Sequence, residues 1–233
     1  MRQRIDQDKA QRETEQRAAW RKNLDRIAYL RRQCVPVSEG DPVHRYLCSR
    51  LAIESFTVPE CIRLHPAMPY VHEGEAVGTF PAMVAPLVNR SGDVLALHRT
   101  YLSAAGNKAP VPGPVKKLTP AAGLLRGTHI PLHQPADGAI GIGEGIETSL
   151  AAHLASEVPT VAAYSAGNLA AWQWPTGARR LVIFADHDMA GAEAADTLRA
   201  RALAAGIRVQ TLTPETPGQD WPDVWSTREG AYA

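Results

Sequence analysis

The chain has 233 residues, 45% hydrophobic and 21% charged, which is enough for a proper core in one large or two small domains and ordinary for a soluble globular protein. The formal net charge of +1 excludes a uniformly basic nucleic-acid binder, yet residues 1–32 carry ten Lys and Arg against five Asp and Glu, about +5, leaving about −4 for the rest. Cys34, Cys48 and Cys61 are widely spaced without a Cys-x-x-Cys pair, which argues against a zinc ribbon and a disulfide framework, and no apolar run is long enough for a signal-peptide core or a membrane span. A cytoplasmic protein with a basic arm and an acidic body is expected.

Residues 1–32 contain no Gly or Pro and many Gln, Arg, Glu and Ala, which predicts one helix. Trp20, Leu24, Ile27 and Leu30 recur at helical spacing as a narrow docking stripe, and Arg17, Arg21, Arg31 and Arg32 are available for phosphate contact. Asp41-Pro42 opens a short helix, with Asp41 as cap and Val43, Tyr46, Leu47 and Leu51 as its buried face. From Leu64 the chain turns extended. Residues 80–88 and 94–102 read as strands joined by Asn89-Arg90-Ser91-Gly92-Asp93, a hairpin signal. Residues 103–128 form a loop-rich basic segment with Lys108, Lys116, Lys117 and Arg126 between prolines and glycines.

The remainder reads β-α-β-α-β-α-β: strands at 139–143, 160–164, 180–185 and 207–212, and helices at 148–155, toward Trp172, and at 190–205, the last stopped by Gly206. Glu144 follows the first strand, and Asp186-His187-Asp188 follows the third. In a doubly wound sheet such acids sit at the carboxyl ends of parallel strands, where ligands bind. Three carboxylates facing one crevice repel one another unless a cation lies between them, and oxygen-only ligands suit magnesium. Helix capping accounts for one of Asp186 and Asp188; two acids flanking one residue favour metal binding, with His187 turned the other way. Glu147 stands between a supporting acid and a cap, and Asp220 and Asp223 between outer metal ligands and surface acids. The tryptophans at 172, 174, 221 and 225 read as core or interface. Gly141-x-Gly143-x-Gly145 has the wrong spacing for a dinucleotide fingerprint.

Glu144-Gly145 after one strand, with Asp186-His187-Asp188 and Gly191 after a later one, resembles the Toprim signature of bacterial-type DNA primases, topoisomerases and some nucleases and recombination proteins. The resemblance covers residues 138–225. Residues 87–100 are similar to the strand pair in the smaller subdomain of bacterial-type primase cores, where an arginine ends the second strand and a lysine-bearing proline-rich loop follows. Arg99, Lys108 and Lys116 occupy comparable places. Gln-Asp-Trp-Pro-Asp at 219–223 is similar to the Lys-Asp-x-Asn-Asp segment of primase Toprim sites, departing from it at Gln219 and Pro222.

The arrangement most resembles the primase-like Toprim proteins of phages, plasmids and integrative elements. It implies an α/β fold: a Rossmann-like, mainly parallel Toprim domain at 137–233, a smaller α+β subdomain at 37–136 and an N-terminal basic helix at 1–36. It further implies a nucleotidyltransferase dependent on magnesium or manganese, with Glu144, Asp186 and Asp188 catalytic and, with Asp220 and Asp223, metal-binding. Arg99, Lys108, Lys116, Lys117 and Arg126 would hold single-stranded DNA template and nucleoside triphosphates, and Glu147, Gly145 and Gly191 would support the site. The zinc-binding and helicase functions of such primases would come from partner proteins; no membrane partner is expected. A Toprim nuclease shares the same acids, and a non-catalytic nucleic-acid-binding module is the third reading. A topoisomerase lacks room for its tyrosine-bearing domain, and a phosphoacceptor receiver would carry its acid pair after the first strand.

Overall fold

The structure, a computed structural model, describes residues 2–216 and 218–229. Helix α1 (Arg2–Arg32) leads into a five-stranded antiparallel sheet of order β1-β2-β3-β4-β5: β1 (Val35–Pro36), β2 (Arg63–His72), β3 (Glu75–Val88), β4 (Val94–Tyr101) and β5 (Lys116–Leu118). Between β1 and β2 lies α2 (Pro42–Leu51). The second sheet is all parallel, of order β7-β6-β8-β9: β6 (Ala139–Gly143), β7 (Thr160–Ala162), β8 (Arg180–Phe184) and β9 (Arg208–Leu212). Its crossovers are α3 (Ile146–Ser156), α4 (Ala166–Ala171) and α5 (Met189–Ala204), and α6 (Trp221–Glu229) follows. The fold class is α/β, with a parallel sheet preceded by an antiparallel α+β unit and an N-terminal helix, as the sequence predicts. No described helix is long and apolar enough to cross a membrane.

Only the C-terminal end of the α1 stripe is fully engaged. Ile27 and Leu30 are buried with Met68, Tyr70, Leu97 and Tyr101 on one face of the first sheet, Trp20 is half-buried, and Leu24 is half-exposed. Residues 7–19 are exposed all round. In α2, the Asp41 carboxylate accepts from the backbone N–H groups of Val43 and His44 at 2.8 and 2.9 Å and from Ser38 N–H at 2.7 Å. Pro42 in the first turn costs no hydrogen bond there.

One hydrophobic cluster joins the two sheets. Leu47 and Leu51 of α2, Met83 and Leu87 of β3, Leu150 of α3, Phe184 of β8 and Trp221 of α6 all belong to it. The opposite face of the parallel sheet packs Ile140, Ile142, Leu181 and Ile183 against α4 and α5. Alternation along β6 leaves Gly141 and Gly143 facing α3, and the missing side chains let it pack close. A Cβ at Gly143 would stand 2.8 Å from Ser149 Oγ, and one at Gly141 2.8 Å from Phe184 Cε2.

Three elements lie beyond the periodicity of the sequence. Strand β2 contains Pro66 and Pro69, and it tolerates them because Pro66 falls in a bulge and β1 pairs only with Arg63 and Leu64, so the rest of β2 has a free edge. Strand β5 is three residues of the basic loop paired with His98, Arg99 and Thr100. Helix α6 is too short to show a pattern; it is started by a reciprocal cap, Asp223 N–H to Asp220 Oδ1 at 3.0 Å and Asp220 N–H to Asp223 Oδ2 at 3.4 Å.

Asp41→Ala removes the α2 cap and is expected to lower the unfolding free energy by about 1 kcal/mol in a urea titration, with an unchanged m-value.

Candidate active site

Parallel β6 and β8 are neighbours, with Gly143 opposite Phe184, and the chain leaves β6 for β7 on one side before returning to β8 on the other. Between β6 and β8 the crossovers diverge, which opens a crevice at their carboxyl ends. Glu144 and Asp186 follow these two strands directly, and both line a cavity of about 300 Å³. The antiparallel unit closes it: Tyr46 and Arg50 come from α2, His98 from β4, Lys108 from the loop and Lys116 from β5. Asp220, ahead of α6, completes the acidic side. A larger cavity of about 620 Å³ lies on the other side of the first sheet, beside α1, but Glu60 is its one carboxylate, so the acid chemistry belongs to the smaller.

The acids of the cavity are electrostatically strained. Burial and then the charges of Asp186 and Asp188 raise the pKa of Glu144. Burial and then the charge of Asp220 push Asp186 up to about 6, against a 3.4 Å hydrogen bond from Thr148 Oγ1. Glu147 behaves oppositely. It is buried, accepts from Tyr46 OH at 2.7 Å, and has Lys116 Nζ 2.9 and 3.0 Å from its two oxygens. Burial raises its pKa, but Lys116 and Tyr46 outweigh it and bring the value down to about 2. Glu147 is therefore neither a cap nor a free acid; the α3 N-cap, Gly145, makes no side-chain bond.

The remaining acids have structural work as well. Asp188 caps α5 through Gly191 N–H at 2.7 Å and is not on the cavity wall. Gly191 is required there, because a Cβ would stand 2.9 Å from the Asp186 carbonyl oxygen. Asp220 pairs with Arg50 at 3.1 Å, and Asp223 completes the α6 cap away from the cavity. His187 lies with Nδ1 2.8 Å from the Pro214 carbonyl oxygen and is not on the cavity wall.

Strand alternation divides the basic residues. His98 and Thr100 of β4 share a face with Lys116, which pairs with Thr100. Arg99 and Lys117, also paired, face the other way. There Arg99 donates to the Leu118 carbonyl and to Tyr101 OH, and Lys117 donates to the Val71 carbonyl with its ammonium 3.8 Å from the Tyr70 ring centre. Arg126 is exposed and outside the cavity, so Lys108 and Lys116 are the predicted basic residues on its wall. Tyr46, Arg50, His98 and Tyr164 are wall residues that the motifs do not single out. Tyr46 alone left a signal, since a tyrosine on a buried helix face needs a hydroxyl partner. Tyr164 adopts a left-handed backbone (φ 65°) while its N–H reaches the Glu144 carbonyl at 2.7 Å.

Oxygen donors alone suit a hard divalent cation. Among the described residues, no three His, Cys, Asp or Glu side chains stand close enough together to hold one ion. Glu144 and Asp186 instead fit the mode in which magnesium takes one or two carboxylates and fills its shell with water and substrate phosphate oxygens.

Residues 139–231 match the family model of the Toprim domain, and residues 21–127 match that of a domain of unknown function (DUF7146). Solved structures similar to the chain include two primases. A DNA primase domain from Pseudomonas aeruginosa shares 17% identity at a TM-score of 0.44, over 71% of this chain and 54% of that one. The Aquifex aeolicus primase (zinc-binding and RNA polymerase domains) shares 16% at 0.44, over 70% and 42%. The chain thus spans about half the length of these structures. No curated protein matches it.

Two substitutions test the electrostatics. Lys116→Met strands a buried carboxylate and is expected to cost about 3 kcal/mol at pH 7, the low end for a broken buried pair because the ammonium is partly solvated. The depressed Glu147 pKa contributes stability above its unfolded value of 4.5 and loses it as pH falls toward 2, so denaturation of both proteins is expected to converge across that window. Asp186→Asn has the opposite sign. With a folded pKa near 6 against 3.8 unfolded, Asp186 destabilises increasingly as pH rises through this interval. The variant is expected to be more stable than wild type at pH 8, by on the order of 1–2 kcal/mol after solvent screening, and equal to it below pH 4.

Proposed function

We propose, from the match of residues 139–231 to the Toprim family model, that this protein is a magnesium-dependent, primase-like nucleotidyltransferase that synthesises short primers on single-stranded DNA. The observation that carries the reading is the joint cavity. Burial raises the pKa of two carboxylates from adjacent parallel strands there, with the charge of Asp186 adding to it for Glu144 and that of Asp220 for Asp186, opposite two lysines brought in by the antiparallel unit. An acidic wall and a basic wall across about 300 Å³ suit a polyphosphate whose charge is shared between protein cations and a metal.

Glu144 and Asp186 would hold the divalent ion, with Asp220 as the further carboxylate on the same wall and the charge of Asp188 close behind. The ion supplies neutralisation of the phosphates and a lowered pKa for a primer 3′-hydroxyl. Lys108 and Lys116 bind phosphate oxygens of the incoming nucleotide, contacts that position without reading sequence. Lys116 is held by Glu147, which Tyr46 OH holds in turn, so its ammonium is aimed before the substrate arrives. Glu144, with a raised pKa, suits proton acceptance from the attacking hydroxyl. The exposed arginines Arg17, Arg21, Arg31 and Arg32 of α1 add sequence-independent phosphate contacts to the template.

The test is primer synthesis on single-stranded DNA with magnesium and nucleoside triphosphates. Wild type is expected to extend, and Glu144→Gln and Asp186→Ala to lose about 100-fold or more. Absence of product with either magnesium or manganese removes the polymerase reading. Shortening of labelled DNA or RNA without nucleotides assigns the same acids to a nuclease, with water as the attacker.

A further inference from the structure

Most polar side chains on the cavity wall are already satisfied by the protein. Tyr46 donates to Glu147, Glu147 holds Lys116, Arg50 holds Asp220, and Thr148 donates to Asp186. His98 is different. It lies within the first sheet, opposite Ala85 of β3 and Leu118 of β5, and is only 9% exposed. It lines the cavity, and its Nδ1, sealed from solvent, has no hydrogen-bond partner among the described residues.

An unpaired buried polar atom is destabilising, and an apolar side chain of similar size would serve the folded chain better. Nothing on the protein side explains an imidazole there. Burial pushes its pKa down to about 4, so at neutral pH it offers a hydrogen bond without charge. Lys108 and Lys116 already bring positive charge to the same wall. The complement of a neutral imidazole beside two ammonium groups is an uncharged polar group attached to an anion.

We propose that His98 is a specificity-determining contact that hydrogen-bonds the nucleoside part, a sugar hydroxyl or a base edge, of a nucleotide bound in the Glu144–Asp186 cavity. The proposal rests on the nucleotide-binding reading of that cavity and adds to it the residue that tells a nucleotide from bare polyphosphate. Preorganised polar groups of this kind reject ligands that leave them unpaired.

The test is calorimetric titration of wild type, His98→Leu and His98→Asn with a nucleoside triphosphate and, separately, with inorganic tripolyphosphate, together with thermal melting of each protein alone. His98→Leu is expected to melt no lower than wild type while binding the nucleotide about tenfold more weakly. His98→Asn, which retains a donor and an acceptor, is expected to stay within about threefold of wild type. Tripolyphosphate is expected to bind all three alike. Equal nucleotide affinity in wild type and His98→Leu overturns the assignment, as does a lower melting temperature for His98→Leu, which marks a packing role. Equal weakening for tripolyphosphate also overturns it, since the contact is then to phosphate. If wild type binds neither ligand, the nucleotide reading of the cavity fails with it, an outcome distinct from binding that His98 does not influence.

Discussion

The carboxylate of Glu147 is the constraint on which the rest of the site depends. It sits on the first turn of α3 in the parallel unit, yet both its partners, Tyr46 of α2 and Lys116 of β5, belong to the antiparallel one. A charge buried this deeply is tolerated only with its partners in place. Register between the two sheets is thereby pinned at one point, with the shared hydrophobic cluster supplying non-directional attraction around it. The pair also decides which basic residue faces the acids, because Lys116 cannot leave Glu147 without exposing an unpaired carboxylate to a low-dielectric interior.

Against this fixed side, burial and neighbouring acids outweigh the compensation the two free acids receive from Thr148 and Lys116. Glu144 and Asp186 occupy the crevice that the strand order β7-β6-β8-β9 creates between β6 and β8. Burial first, and then the charges of neighbouring acids, raises both pKa values. The neighbouring acids are restrained by other duties: Asp188 and Asp223 by helix caps, Asp220 by a cap and by Arg50. Capping fixes each carboxylate in place and keeps negative charge at a helix start, where the dipole favours it. A strained pair surrounded by anchored acids is an electrostatic arrangement ready for a cation, built without a cage of protein ligands.

Much of this was legible from residue order alone. The apolar runs, Gly206 and the Asp41-Pro42 cap mark the elements of the parallel sheet and α2 closely, because their signals are local. The acids after β6 and β8 could be paired because parallel topology puts consecutive strand ends on one edge. Short elements escaped: β5 is three residues, and α6 begins on a proline-bearing turn whose cap is two aspartates that also read as metal ligands.

What the sequence by itself determined is α1, α2, the strands and crossover helices of the parallel sheet, the side on which the acids emerge, and the hairpin that carries the basic loop. Tertiary structure alone decided which basic residues meet those acids. Strand alternation in β4 and β5 sends Lys116 and His98 into the cavity and Arg99 and Lys117 to the far face, a choice that depends on which face of the hairpin is covered by the parallel unit. It likewise decided that Glu147 anchors a lysine rather than capping a helix, since its partners lie 101 and 31 residues away along the chain. Such contacts arise from packing between sheets, and no local pattern encodes them.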